Sequence, residues 1–241
     1  MEPWYRLAVM IIRPLLWLLF KTDFKGREEH LPREGGVIVA VNHISYADPF
    51  AIALFLHSWK RRPRFMAKSS VFKIPVGGRI VRGARQIPVY RDTADAGNAL
   101  RAAVAAVKDG ECVVIYPEGT VTKDPDYWPM ASKTGVARLA LATGAPVIPV
   151  GQWGAQHFLG REKGFQPFPR KTLRVRCGPA VDLSQWEGAE PTAEVLRAMT
   201  LKVMNAVTEQ VAAIRGEDPP KVPFVPPRKL DAVRDDDRRS A

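Results

Sequence analysis

Cysteine is nearly absent from this chain. Cys112 and Cys177 are the only two, both set in apolar, strand-like surroundings. They have no metal-ligand spacing and form no disulfide framework, which excludes a cysteine-built metal site and fits a reducing compartment. Long apolar runs are missing too. Residues 3–20 are strongly apolar, but Arg6, Arg13 and Pro14 interrupt them, so no uninterrupted run reaches the ~20 residues of a spanning helix. No small-x-small cleavage site follows Phe20, so a signal peptide is not indicated. There is no internal repeat. Acid is missing from residues 60–91, which carry ten Lys or Arg and no Asp or Glu, while residues 216–241 balance six basic against six acidic. One segment therefore carries nearly all of the formal net charge of +11. Such a segment meets anions: phosphorylated small molecules, acidic lipid surfaces or nucleic acid. Nucleic acid is disfavoured, because no aromatic stacking platform is interleaved with the cations.

What is present reads as one α/β domain, since 241 residues are enough for a sizeable core. Within residues 1–22, Arg6 and Arg13 share a helical face, and Trp4, Tyr5 and Trp17 suit a membrane interface. The expectation is a membrane-associating helix lying in one leaflet with its arginines towards phosphates. That makes the protein peripheral or monotopic on the cytoplasmic face of the cell membrane, with anionic phospholipid as a partner. Residues 23–215 form the domain and 216–241 a Pro-rich charged tail, disordered or draped on the surface. Strands are expected over 24–30 at an edge, and over 37–41, 64–70, 86–90, 112–116, 147–150 and 172–177. Helices are expected over 46–58, over a short piece before Arg82, after a Thr93 cap, over 132–143, and after a Thr192 cap. Residues 152–170 read as loop. The alternation gives a mixed central sheet flanked by helices. Polar clusters at 42–48, 67–70, 116–123 and 150–152 follow apolar strands, so they gather at one crevice at the strand ends.

The first of these clusters carries the chemistry. Val37 to Val41 runs straight into Asn42-His43-Ile44-Ser45-Tyr46-Ala47-Asp48-Pro49. Ser45 can cap a helix, placing Asp48 near its third position with His43 over the same end. A carboxylate folded back on a histidine fixes its tautomer and leaves the other ring nitrogen free as a base. Taken alone, the pair also fits an ordinary acidic first turn beside a turn histidine. His30, His57 and His157 are isolated and read as surface or turn residues. Asp124-Pro125-Asp126 reads as a turn and Gly77-Gly78 as a loop.

Four segments line up: Asn42-His43-x4-Asp48-Pro49, Ile87-Pro88-Val89-Tyr90-Arg91, Tyr116-Pro117-Glu118-Gly119-Thr120, and Ala145-Pro146-Val147-Ile148-Pro149-Val150. In this order and spacing the chain resembles the 1-acylglycerol-3-phosphate acyltransferase (PlsC-like, His-x4-Asp) family over roughly residues 20–185. The resemblance implies acyl transfer from a thioester, on coenzyme A or acyl carrier protein, to a lysophospholipid hydroxyl, with no metal and no further cofactor. By position His43 is the base and Asp48 its orienter. Lys68, Arg91, Glu118, Gly119 and Thr120 hold the acceptor. The family commonly has Arg after Glu-Gly-Thr, where this chain has Val121, so Lys123 or Lys133 would supply the charge. Arg85, Tyr90 and Tyr116 also depart from the family pattern. The Val121 change keeps a larger lysophospholipid or another monoacyl glycerolipid open as acceptor. A non-catalytic anionic-lipid-binding protein is the competing class.

Overall fold

The computed structural model describes residues 3–90, 96–161 and 164–226, without the side chains of 3–8, 11, 12 and 96. Arg91, Thr93 and the tail beyond Pro226 lie outside the described residues, as do the side chains of Trp4, Tyr5 and Arg6.

The chain begins with helix α1 (Pro3–Leu19), which runs directly into strand β1 (Phe20–Lys25). Strand β2 (Val37–Val41) is buried at all five positions, as expected for a central strand covered on both faces. Strands β3 (Pro63–Lys68), β4 (Ile87–Val89), β5 (Cys112–Ile115), β6 (Val147–Trp153) and, after the small hairpin β7 (Leu159–Gly160) and β8 (Gly164–Phe165), β9 (Lys171–Cys177) complete the set. The main sheet has seven strands in the order β1-β9-β6-β2-β5-β3-β4. It is mixed: β6, β2, β5, β3 and β4 run parallel, and β9 turns antiparallel to β6, carrying β1 with it.

Helices cover both faces. Ile38 and Ala40 of β2, with Val113 and Ile115, pack against α5 (Ala96–Lys108), α6 (Gly135–Thr143) and α7 (Ala193–Arg215). Val37, Val39 and Val41 point the other way and meet Ile52, Phe55 and Leu56 of α3 (Asp48–Ser58). The period-two alternation of one strand thus feeds two layers, and each fully buried Phe or Ile contributes about 1.5–3 kcal/mol. α7 starts where its sequence says: Thr192 Oγ1 accepts the Val195 N–H at 3.2 Å. Its buried stripe is Leu196, Met199, Val203, Val207 and Val211.

Several element expectations need correction: Gly77 and Gly78 open a helix that runs to Gly83 rather than forming a loop, and residues 152–170 hold the end of β6 and the β7–β8 hairpin rather than loop alone. The edge strand is Phe20–Lys25, and Arg27–His30 is one turn of helix, α2. The break falls at Gly26, whose φ is +80° and where a Cβ would lie 2.1 Å from the Cys177 carbonyl oxygen, so only glycine passes. Strand β6 extends to Trp153 because β9 pairs with it from Val150 to Trp153. The helix placed at 132–143 begins only at Gly135, with Lys133 N–H donating to the Pro117 carbonyl instead. Residues 217–226 lie over the surface, and Phe224 forms a bridge with Met130. No helix among the described residues is long and apolar enough to cross a membrane.

Candidate active site

The carboxyl ends of β2, β3, β5 and β6 deliver His43, Lys68, Glu118 and Gln152 to one edge of the sheet. Asn42 and Gln152 lock the central pair together. Asn42 Oδ1 accepts the Gln152 N–H at 2.8 Å, Asn42 Nδ2 donates to the Gln152 carbonyl at 3.2 Å, and Gln152 Nε2 donates to the Asn42 carbonyl at 2.8 Å. Both residues are buried, so the loop that follows leaves the sheet in a fixed direction.

His43 and Asp48 meet on that loop. His43 Nδ1 lies 2.8 Å from Asp48 Oδ2, which also accepts the N–H groups of Ile44 at 2.6 Å and Ser45 at 2.9 Å. Asp48 is the first residue of α3, behind Ala47, and Ser45 does not cap the helix. Ser45 Oγ instead accepts the Ala47 N–H and donates to the Leu159 carbonyl. The expected capping geometry is therefore replaced by a tighter turn in which the carboxylate itself gathers the free amides. Burial pushes the Asp48 carboxyl above its ordinary value, and the His43 contact and the two amides pull it back. A carboxylate oxygen only accepts, so in this third bond Nδ1 of His43 carries the hydrogen and Nε2 is left as the acceptor. The imidazole stacks on Tyr116, with ring centroids 4.5 Å apart and planes at 28°.

Glu118 sits elsewhere than its motif suggests. Its carboxylate turns inward, Oε1 accepting the His43 N–H at 2.7 Å and Oε2 the Met130 N–H at 3.1 Å. Burial pushes its pKa up to about 8 against the pull of those two amides. It braces the loop that carries His43 and is absent from the wall of the cavity described next. Gly119 follows with φ +72° and closes a turn onto the Tyr116 carbonyl.

A cavity of about 660 Å³ opens at His43. Its polar end is lined by His43, Tyr116, Gly119, Thr120 and Lys68. Its longer apolar part runs between α3 and β3, lined by Phe50, Leu54, Phe65 and Met66, with Val9 and Leu16 of α1 and Ile80 and Val81 of α4 (Gly77–Gly83) closing it. Val121 lies on the wall, whereas Lys123 is exposed to solvent and lies off the wall. The cation nearest the Gly119 turn is Lys133, whose Nζ lies 3.9 Å from where a Gly119 Cβ would be. His57, read above as isolated, lines the cavity together with Arg13; its pKa is lowered by burial and by that arginine. The pairing of His43 with Asp48 is legible in the sequence, whereas the part of α1 in the wall, the place of His57 on it and the inward turn of Glu118 are not. Among the described residues no group of His, Cys, Asp and Glu is disposed to hold a metal.

The polar end that carries the His43–Asp48 pair thus opens into an apolar groove. The family profile described as Acyltransferase matches residues 23–153, and the chain belongs to that family. Several of the relatives it resembles are named 1-acyl-sn-glycerol-3-phosphate acyltransferases. The chain is 30% identical over 136 residues to the chloroplastic 1-acyl-sn-glycerol-3-phosphate acyltransferase BAT2 of Brassica napus, aligning 56% of its own length with 38% of that protein. It is 24% identical over 200 residues to the 1-acyl-sn-glycerol-3-phosphate acyltransferase of Borreliella burgdorferi, aligning 81% of its length with 77% of that protein. Its fold matches that of the 1-acyl-sn-glycerophosphate acyltransferase PlsC from Thermotoga maritima with a TM-score of 0.66 at 24% identity, over 89% of this chain and 81% of that one.

Proposed function

We propose that the protein transfers a fatty acyl group from acyl-CoA or acyl-ACP to the free hydroxyl of 1-acylglycerol-3-phosphate, forming phosphatidic acid. The observation that carries this reading is the His43–Asp48 pair at 2.8 Å, set at the mouth of an apolar cavity of about 660 Å³. The acceptor hydroxyl approaches Nε2 of His43 and attacks the thioester carbonyl carbon. Its proton passes to Nε2 as the new ester C–O bond forms. The C–S bond then breaks and the departing thiolate takes the proton. Asp48 stabilises the transient imidazolium, and a base positioned in this way typically contributes about 10²–10⁴-fold in rate. The acyl chain occupies the apolar arm. Lys68, Gly119 and Thr120 on the wall, Lys133 beside Gly119, and Arg91 hold the acceptor's glycerol phosphate. No metal or bound cofactor takes part.

The lipid substrates fit a protein seated on the membrane. Met10, Leu15, Trp17 and Leu18 of α1 are exposed, which supports α1 lying in the interface of an anionic leaflet on the cytoplasmic face, as a peripheral or monotopic element. A second acceptor, a lysophospholipid with a larger headgroup, is favoured by one observation: an apolar Val121 on the cavity wall where a cation would meet a phosphate monoester. The test is mass spectrometry of products formed from a panel of lysolipids with acyl-CoA and acyl-ACP. Phosphatidic acid from lysophosphatidic acid, lost in His43→Ala, is the expected result. Turnover by His43→Ala near the parental rate would refute the mechanism.

A further inference from the structure

Beside the end of α1 lies a second exposed apolar feature. The β7–β8 hairpin and the loop after it present Phe165 and Phe168, 64% and 71% exposed, next to Trp17 at 75%. The two elements are tied together. Arg170 Nη2 donates to the carbonyls of Trp17 at 2.6 Å and Phe20 at 2.7 Å, and its guanidinium lies 5.9 Å from the Trp17 ring. Phe165 packs edge-on against Phe158 at 5.0 Å, and Phe158 against Phe20 at 4.6 Å. Phe158 and Phe20 are buried, so the stack is anchored at its root and open at its tip. Arg170 is exposed at this patch, and Lys21 and Lys171 flank it in the chain. Aromatic rings bordered by cations match the boundary between the headgroups and acyl chains of an anionic leaflet.

The root of the same hairpin is bonded to both loops of the active site. Ser45 Oγ donates to the Leu159 carbonyl at 2.7 Å, and Arg161 Nη1 donates to the Thr122 carbonyl at 2.9 Å. We propose that residues 164–170 form a second bilayer contact, inserting Phe165 and Phe168 into a phospholipid leaflet beside Trp17 and holding the cavity mouth against the surface that supplies its lipid substrate. This rests on the reading of the substrate as a membrane lipid. Two contacts at separate points fix the tilt of the domain, which one helix lying in the interface does not.

The experiment is sedimentation of the full chain with vesicles of phosphatidylcholine and phosphatidylglycerol, with lysolipid acylation measured alongside. Two half-inserted phenylalanines contribute about 10–100-fold to partitioning. Phe165→Ser with Phe168→Ser should therefore weaken vesicle binding by about that factor while α1 stays intact. A single Phe168→Cys variant carrying an environment-sensitive fluorophore should shift to the blue when vesicles are added, and this readout does not depend on the double variant folding. Unchanged partitioning with no spectral shift would overturn the contact and leave the acyl-transfer reading standing. So would a parent chain that acylates lysolipid without binding vesicles. A dimer found without lipid and abolished by the double substitution would overturn it in favour of a second copy of the chain. Vesicle binding lost with the phenylalanines in a chain that forms no acylated product would support the contact and refute the reaction instead.

Discussion

Replacing Asp48 with Asn tests how the base is held. Asp48 Oδ2 takes hydrogen bonds from His43 Nδ1 at 2.8 Å, Ile44 N–H at 2.6 Å and Ser45 N–H at 2.9 Å. Asparagine is nearly isosteric but offers one carbonyl oxygen and one amino group. If the oxygen stays on the two amides, His43 keeps its tautomer and loses the negative charge that stabilises its protonated form. If the amino group faces Nδ1, the ring hydrogen is forced onto Nε2 and the base is lost. In the second arrangement two buried amides also lose their acceptor, at about 1–3 kcal/mol each, so the first should dominate with a minority of the second. Both act on the step in which His43 becomes charged. The expected fall in kcat is about 10²–10⁴-fold, or about 3–5.5 kcal/mol of transition-state stabilisation. KM for donor and acceptor should stay within about threefold, because Asp48 is fully buried and does not line the cavity. Thiol release from acyl-CoA, or loss of the acyl mass from the carrier protein, measures both constants. Asp48→Asn combined with His43→Ala should be no slower than His43→Ala alone, as the two act as a unit. A kcat within threefold of parental, or a loss confined to KM, would refute the orienting role.

Three further outcomes follow from the same geometry. Glu118 is protonated up to about pH 8 in the folded chain and only up to its ordinary value of 4.5 when unfolded. The folded state thus holds the extra proton between these values, and stability should fall as pH rises through that window by about 1.4 kcal/mol per pH unit. Glu118→Gln should flatten that slope in urea melts taken from pH 5 to 8; an unaltered slope would mean that this carboxyl does not carry it. Lys133→Ala should raise KM for lysophosphatidic acid about tenfold, the worth of one charge-assisted contact, with Lys123→Ala nearly neutral; the reverse ranking in steady-state kinetics would move the acceptor phosphate away from Gly119. Ala53→Phe adds a ring to the apolar cavity wall, and should shift donor preference towards shorter acyl chains in a competition assay with mixed acyl-CoAs.

Much of this molecule is written in short stretches of its chain. Five consecutive apolar residues, Val37 to Val41, are enough for a strand buried on both faces, because nothing polar in the run can be turned to water. Thr192 caps α7 and Gly216 ends it with φ +68°, both by bonds within a few residues. His43 and Asp48 are five apart and meet through a turn of their own, so their pairing is local as well. Tertiary structure decided the rest. Whether Glu118 faced substrate or interior depended on two unpaired amides, His43 N–H and Met130 N–H, and the fold brings both beneath one buried carboxylate. Gln152 lies 110 residues from Asn42, and only the adjacency of β2 and β6 lets them bond. The apolar arm of the cavity has walls from α1, α3, α4 and β3, and no periodicity within any of them encodes the space between. Backbone donors and acceptors that pair nearby leave a pattern in the sequence, whereas the setting of a buried carboxyl group or a cavity is defined by atoms that become neighbours only when the sheet closes.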